Sequence, residues 1–180
     1  MLAAAFAAFD WAGALHFAAS IVSFLAGTVL SGVLIQDSVL QLGRRYGVAL
    51  FLESLLLCAS VPLLERGHSL GIYTASGACG LQNAMVSTYS GAAVRTTHVS
   101  GMFTDLGISH GHALRGLPTN WLRLSFCFLI ISAFFCGGVA GAVAFHRLGY
   151  SALYILGGLT AITAIAYGLW LARNSHRSTP

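Results

Sequence analysis

The chain has 180 residues, of which 57% are hydrophobic and only 8% charged, with a formal net charge of +4. A soluble domain carries roughly a quarter of its residues as charged side chains, so this composition excludes a water-soluble globule and leaves an integral membrane protein. Every basic residue is an arginine and no run exceeds the adjacent Arg44 and Arg45, which excludes a nucleic-acid surface built on basic stripes and aromatic platforms.

The N-terminal residues carry no positive charge ahead of an apolar run, so no cleavable signal is expected. Asp10 stands where an N-cap would open the first span, residues 14–35, and Ser23, Gly27 and Ser31 place small side chains at four-residue spacing along it. The second span, 46–64, carries Glu53 near its middle. The third, 69–89, is the least apolar, with Thr74, Ser76, Gln82 and Asn83. After it comes a connection, 90–120, that stays apolar where a solvated loop would not. Long structureless connections are uncommon in compact domains, so a short helix over 99–114 is predicted, too short at about 16 residues for a clean crossing. Asn120, just after Pro118, caps the fourth span, 122–145, which carries Gly137 and Gly141. The fifth, 150–171, carries Gly157 and Ala161. Trp11, Trp121 and Trp170 fall at span ends, where amphipathic rings prefer the headgroup layer.

The fold class is therefore all-α: a polytopic membrane helix bundle of about five transmembrane helices plus a short re-entrant or interfacial helix. The five spans distribute the arginines unequally. Arg66 and Arg147 fall on one side, and Arg44, Arg45, Arg95, Arg115, Arg123, Arg173 and Arg177 on the other, seven against two. The positive-inside rule places the richer side in the cytoplasm, with the N-terminus outside and the C-terminus inside. The four cysteines, Cys58, Cys79, Cys127 and Cys136, lie within apolar stretches without metal-site spacing and are read as buried free thiols.

A helix, a break and a second short helix form the pattern of discontinuous membrane helices, whose ends present backbone groups to a solute. Arg95, Thr96, Thr97 and Ser100 would then stand near a helix N-terminus, a place that favours an anionic group. The alternative is an interfacial helix whose Arg95 meets lipid phosphate. Glu53 is costly within a span, by about 2.5–3.5 kcal/mol on insertion scales, and is a site for proton or ion coupling by that argument, or else a carboxyl hydrogen-bonded to Gln82, Asn83 or a serine. Asp105 is a second coupling residue, or a solvated partner of Arg95 or Arg115. His110 and His112 differ by two positions and point to different faces of a helix, so with His98 they define no metal site. No nucleophile elbow, phosphate-binding loop or metalloprotease motif occurs, and neither an enzyme nor a cofactor is expected.

The runs Gly80 to Ala84 (GLQNA), Val94 to Thr97 (VRTT) and Val99 to Gly107 (VSGMFTDLG), with DWAGALHF from Asp10 to Phe17 and the Glu53 helix, resemble the YoaK-like family of uncharacterised bacterial membrane proteins. The resemblance implies six helices in two related halves, each with a TGN-type signature after its first helix. Here the second signature reads Ser100, Gly101, Met102, keeping the hydroxyl and losing the amide, and Met1 falls where the family has already completed its first helix and signature. The chain is then one transmembrane domain, 1–180, with a partial first half in 1–68 and the second in 69–180. Halves of three helices are inverted relative to one another, as in secondary transporters.

The expected function is a small-solute transporter or permease-like protein of the bacterial cytoplasmic (inner) membrane. Arg95, Thr96, Thr97, Ser100 and Gly101, with Gln82 and Asn83, would contact a small anionic solute, and Glu53 or Asp105 would handle a proton. The alternative is a non-transporting scaffold or accessory subunit. The partners expected are the lipid bilayer, such a solute and a second copy of the chain, with no nucleic acid.

Overall fold

In the computed structural model, residues 1–35, 44–89, 99–118 and 121–175 are described. They form seven α-helices in the order α1 (Leu2–Ala7), α2 (Trp11–Leu34), α3 (Arg44–Glu65), α4 (Leu70–Tyr89), α5 (Val99–Leu114), α6 (Trp121–Leu148) and α7 (Ala152–Ser175), with a 3-10 turn, Gly149–Ser151, before the last. The five expected spans are α2, α3, α4, α6 and α7, and the short helix in the connection is α5. The six-residue α1 was not anticipated. It ends where Phe9 takes a φ of 56° and the Asp10 amide donates back to the Ala5 carbonyl.

The helix ends follow local chemistry. Asp10 caps α2, its Oδ1 accepting from the Gly13 amide at 2.9 Å and satisfying one of the amides that lack an intrahelical partner. Asp10→Ala is expected to cost about 1 kcal/mol, with Asp10→Asn close to neutral, read as thermal unfolding in detergent. Asn120, expected to cap α6, lies outside the described residues. At the end of α3, Gly67 sits at φ 72° while its amide and that of His68 donate to the Leu64 and Leu63 carbonyls, the left-handed stop that glycine adopts without steric cost.

Among the described residues three stretches are long and apolar enough to cross a membrane: Trp11–Leu34, Arg45–Glu65 and Leu124–Arg173. The third has 50 residues, which at 1.5 Å each is about 75 Å, more than two thicknesses of a hydrocarbon core of about 30 Å. It therefore holds two spans, parted where Gly149 takes φ 59° between α6 and α7. α4 has the length of a span, 20 residues, but carries Thr74, Ser76, Gln82 and Asn83 and is not among these three stretches. It lies against both α2 and α3, which leaves Thr74, Ser76 and Asn83 half-buried and Gln82 exposed.

The described residues form two compact units, one from 1–93 and 150–180 and the other from 94–149. In the first, α4 packs on α2 and α3, and α3 also packs on α7. His16 meets Tyr73 while Gly27 meets Gly77 and Leu81, so α2 and α4 run parallel. Ala49 packs with Leu81 and Met85 whereas Ser60 and Leu64 meet Gly71, so α3 is antiparallel to α4. In the second unit α5 packs on α6, with the Cys127 thiol 3.8 Å from the Met102 sulfur.

Lipid tails are as apolar as leucine, so close backbone approach, not water exclusion, must hold such helices together. The expected small-residue faces divide accordingly. A Cβ on Gly27 would meet the Gly77 carbonyl oxygen and stand 2.9 Å from the Leu81 nitrogen, and one on Gly157 would stand 2.8 Å from the Cys58 sulfur. At Gly137 and Gly141 nothing among the described residues stands within 4 Å of where a Cβ would be. The expectation of four buried thiols is corrected too: only Cys127 is buried, Cys58 is half-buried, and Cys79 and Cys136 face outward. In a membrane helix an outward apolar position is covered by lipid, so hydropathy does not report burial in protein.

Candidate functional site

One face of α3 supplies the interior of the first unit. Ala49, Glu53, Leu57 and Ser60 recur at three- and four-residue spacing and all are buried; Ala49 and Ser60 meet α4, while Leu57 also approaches Gly157 of α7. Glu53 is 2% exposed, and its Oε2 has no hydrogen-bond partner among the described residues. A buried polar atom without a partner costs free energy, and a carboxyl within a membrane bundle more so, which makes this an unusual place for the chain to keep an acid.

Next to Glu53, Ser54 points to the other side, where its hydroxyl donates to the Gly157 carbonyl of α7 at 2.7 Å. That bond ties α3 to α7 at the level of the carboxyl. On α2, Ser31 is fully buried and its hydroxyl is likewise without a partner among the described residues. Gly27, one turn before it, lies at Gly77 and Leu81, and Ala49, one turn before Glu53, packs on Leu81 and Met85. These contacts both fall on residues 77–85 of α4, but α2 runs parallel to α4 and α3 antiparallel, so one turn on, Ser31 lies further toward the C-terminal end of α4 and Glu53 further toward its N-terminal end. Gln82 of that stretch is exposed and Asn83 half-buried. A carboxyl enclosed by apolar packing can take up and release a proton.

The remaining expected residues fall elsewhere. Ser100 and Gly101 occupy the first turn of α5 and are exposed, with open space around Gly101. The Ser100 carbonyl accepts from the Thr104 hydroxyl at 3.0 Å, and Asp105 is half-buried. Arg95, Thr96 and Thr97 lie outside the described residues. The structure therefore groups Glu53, Gln82 and Asn83 in the first unit and Ser100, Gly101 and Asp105 in the second. No three His, Cys, Asp or Glu side chains converge as metal ligands among the described residues.

Sequence reading assigned Ser31 to packing alone. Ser31 stands in the last turn of α2, three residues before Leu34, so the mid-span argument that marks Glu53 does not reach it, and its spacing with Gly27 reads as helix packing. His16 was likewise passed over. Its Nδ1 lies 3.0 Å from the Tyr73 hydroxyl, a polar tie between α2 and α4 near the start of both.

Long apolar helices, close glycine-mediated contacts and a polar group held inside them define a helical membrane protein. Over residues 1–166 the chain matches the model of a family described as protein of unknown function (DUF1275), and it belongs to that family, the one to which the YoaK-like motifs point. No curated protein and no solved structure matches the chain.

Proposed function

We propose that the chain belongs to a proton-linked transporter of small anionic solutes in the bacterial cytoplasmic membrane, with Glu53 as the proton-binding group. The observation that carries this reading is the Glu53 carboxyl, enclosed within a bundle of membrane helices with one oxygen unpartnered among the described residues. Such a group is expensive to retain without a role, and proton relays in pumps and transporters use acids so placed. Arg95, Thr96 and Thr97 ahead of α5, with Ser100 and Gly101 in its first turn, supply the cation, hydroxyls and helix N-terminus that suit an anion. Asp105 is the second acid of the scheme.

Binding of small carboxylates and inorganic phosphate to the purified protein, followed against pH, tests the assignment. Glu53→Gln should bind with the wild-type pH dependence removed, and Arg95→Gln should bind several-fold more weakly with that dependence retained. Wild-type pH dependence in Glu53→Gln would exclude Glu53 as the coupling group.

The arginine distribution supports an external N-terminus and a cytoplasmic C-terminus. A cysteine introduced at Ser178 should resist a membrane-impermeant thiol reagent on intact cells, and labelling there would reverse the orientation. A second reading, a scaffold or accessory subunit, is favoured by α6, where Gly137 and Gly141 have open space at a spacing that suits close helix association.

A further inference from the structure

The packing of α3 on α7 leaves a cleft at one end of the first unit. Side chains are missing from its floor: Gly47 on α3 and Gly168 on α7. The Cβ that Gly168 lacks would stand in open space, and the one Gly47 lacks would stand 3.3 Å from the Tyr167 ring. Two adjoining cavities share these glycines, of about 270 and 320 Å³, with walls from Val48, Phe51, Tyr167 and Leu171. Together they are in the size class of small-molecule pockets, and they are almost wholly apolar.

The end of the cleft is marked by aromatic and basic residues. Tyr46 meets the edge of Tyr167 at 6.3 Å, and Tyr167 stacks on Trp170 at 6.2 Å, the arrangement of rings found at the level of lipid headgroups. Arg45 stands two positions before Gly47, Arg173 two positions after Leu171, and both are exposed. Because Gly47 meets Tyr167 while Ser54 meets Gly157, α3 and α7 are antiparallel, and this brings the start of one and the end of the other to the same end. No Asp or Glu occurs in residues 44–52 or 152–175. At the opposite end the charge differs, since Glu65 accepts a hydrogen bond from Ser151 at 2.9 Å.

We infer that this cleft binds an anionic phospholipid, an acyl chain lying over Gly47 and Gly168 beneath the tyrosine and tryptophan rings and the phosphate held at the level of Arg45 and Arg173. An apolar slot open to the bilayer fits a lipid tail, and arginines of one sign at its mouth select a negative headgroup over a zwitterionic one. The site is separate from Glu53, which lies on the α4 side of α3.

The test is native mass spectrometry of the full chain, released from mild detergent after incubation with phosphatidylglycerol or phosphatidylcholine. One equivalent of phosphatidylglycerol should be retained in preference to phosphatidylcholine, with a preference of about five-fold for each arginine. Arg45→Gln with Arg173→Gln should lower phosphatidylglycerol retention toward that of phosphatidylcholine. Gly168→Leu, which fills the slot from a position with open space, should lower retention of both. Equal retention of the two lipids by the wild-type chain, or phosphatidylglycerol retention unchanged in both variants, would overturn the inference, as would a dimer that retains no lipid.

Discussion

Gly27→Leu and Gly80→Leu are each expected to separate α2 from α4 and abolish recovery of folded protein from detergent. A Cβ at Gly80 would stand 2.8 Å from the Phe24 carbonyl carbon and collide with its oxygen, and one at Gly27 would collide with the Gly77 carbonyl. The opposing atoms are backbone, so no side-chain rotation relieves the overlap and the helices must move apart. Ordinary overpacking of a core costs about 1–3 kcal/mol, and displacement of a whole helix should exceed that range. Gly137→Leu is the control. It adds the same side chain to a helix of the same character where nothing stands within 4 Å, and should leave thermal unfolding unchanged. A comparable loss at Gly137 would mean that leucine disturbs these helices for reasons other than α2–α4 contact.

Substitutions of Glu53 should separate folding from function. Glu53→Gln keeps the volume and one acceptor oxygen and adds no charge to an enclosed place, so the bundle should unfold at nearly the wild-type temperature while proton-linked activity falls to background. Glu53→Lys instead puts a cation into a space where the native oxygen already has no partner among the described residues, and placing lysine at the centre of a membrane helix costs about 2.5–3.5 kcal/mol. It should fail to accumulate as folded protein. Glu53→Gln that unfolds as readily as Glu53→Lys would assign the carboxyl to structure. Ser31→Ala, removing a buried hydroxyl in the last turn of α2, should be tolerated for stability, because it deletes a polar atom without a partner among the described residues and opens no cavity larger than one oxygen.

The helices were legible because hydropathy and punctuation agree in this chain. The cap at Asp10 and the tryptophans that open α2 and α6 mark ends that length alone would leave uncertain by a turn, whereas the left-handed glycines at 67 and 149 became visible only in the structure. α5 was legible from the apolar content of its loop and runs over the residues expected, Val99–Leu114. Helix faces were harder to read. In a soluble helix the polar side marks the solvent, but here both the lipid face and the protein face are apolar, so sequence periodicity could not say that Gly27 is at a contact and Gly137 is not. Small residues recur at four-residue spacing in both, and only the neighbouring helix backbone at Gly27 tells them apart. Glu53 stood out as the lone acid of its span, yet its orientation toward α4 depends on Ala49 and Ser60 lying on the same face, which becomes visible only when α4 is in place.

The central claim, that Glu53 carries a proton in step with a small anion, is tested most directly in proteoliposomes with a pH-sensitive dye trapped inside. Small carboxylates and inorganic phosphate would be added outside in turn, with wild type, Glu53→Gln and Asp105→Asn compared at equal reconstitution. The account predicts an internal pH change on addition of at least one anion to wild-type vesicles, absent from Glu53→Gln vesicles that retain the fold. An anion-driven pH change of wild-type size in Glu53→Gln, or none with any anion in wild type, would contradict it.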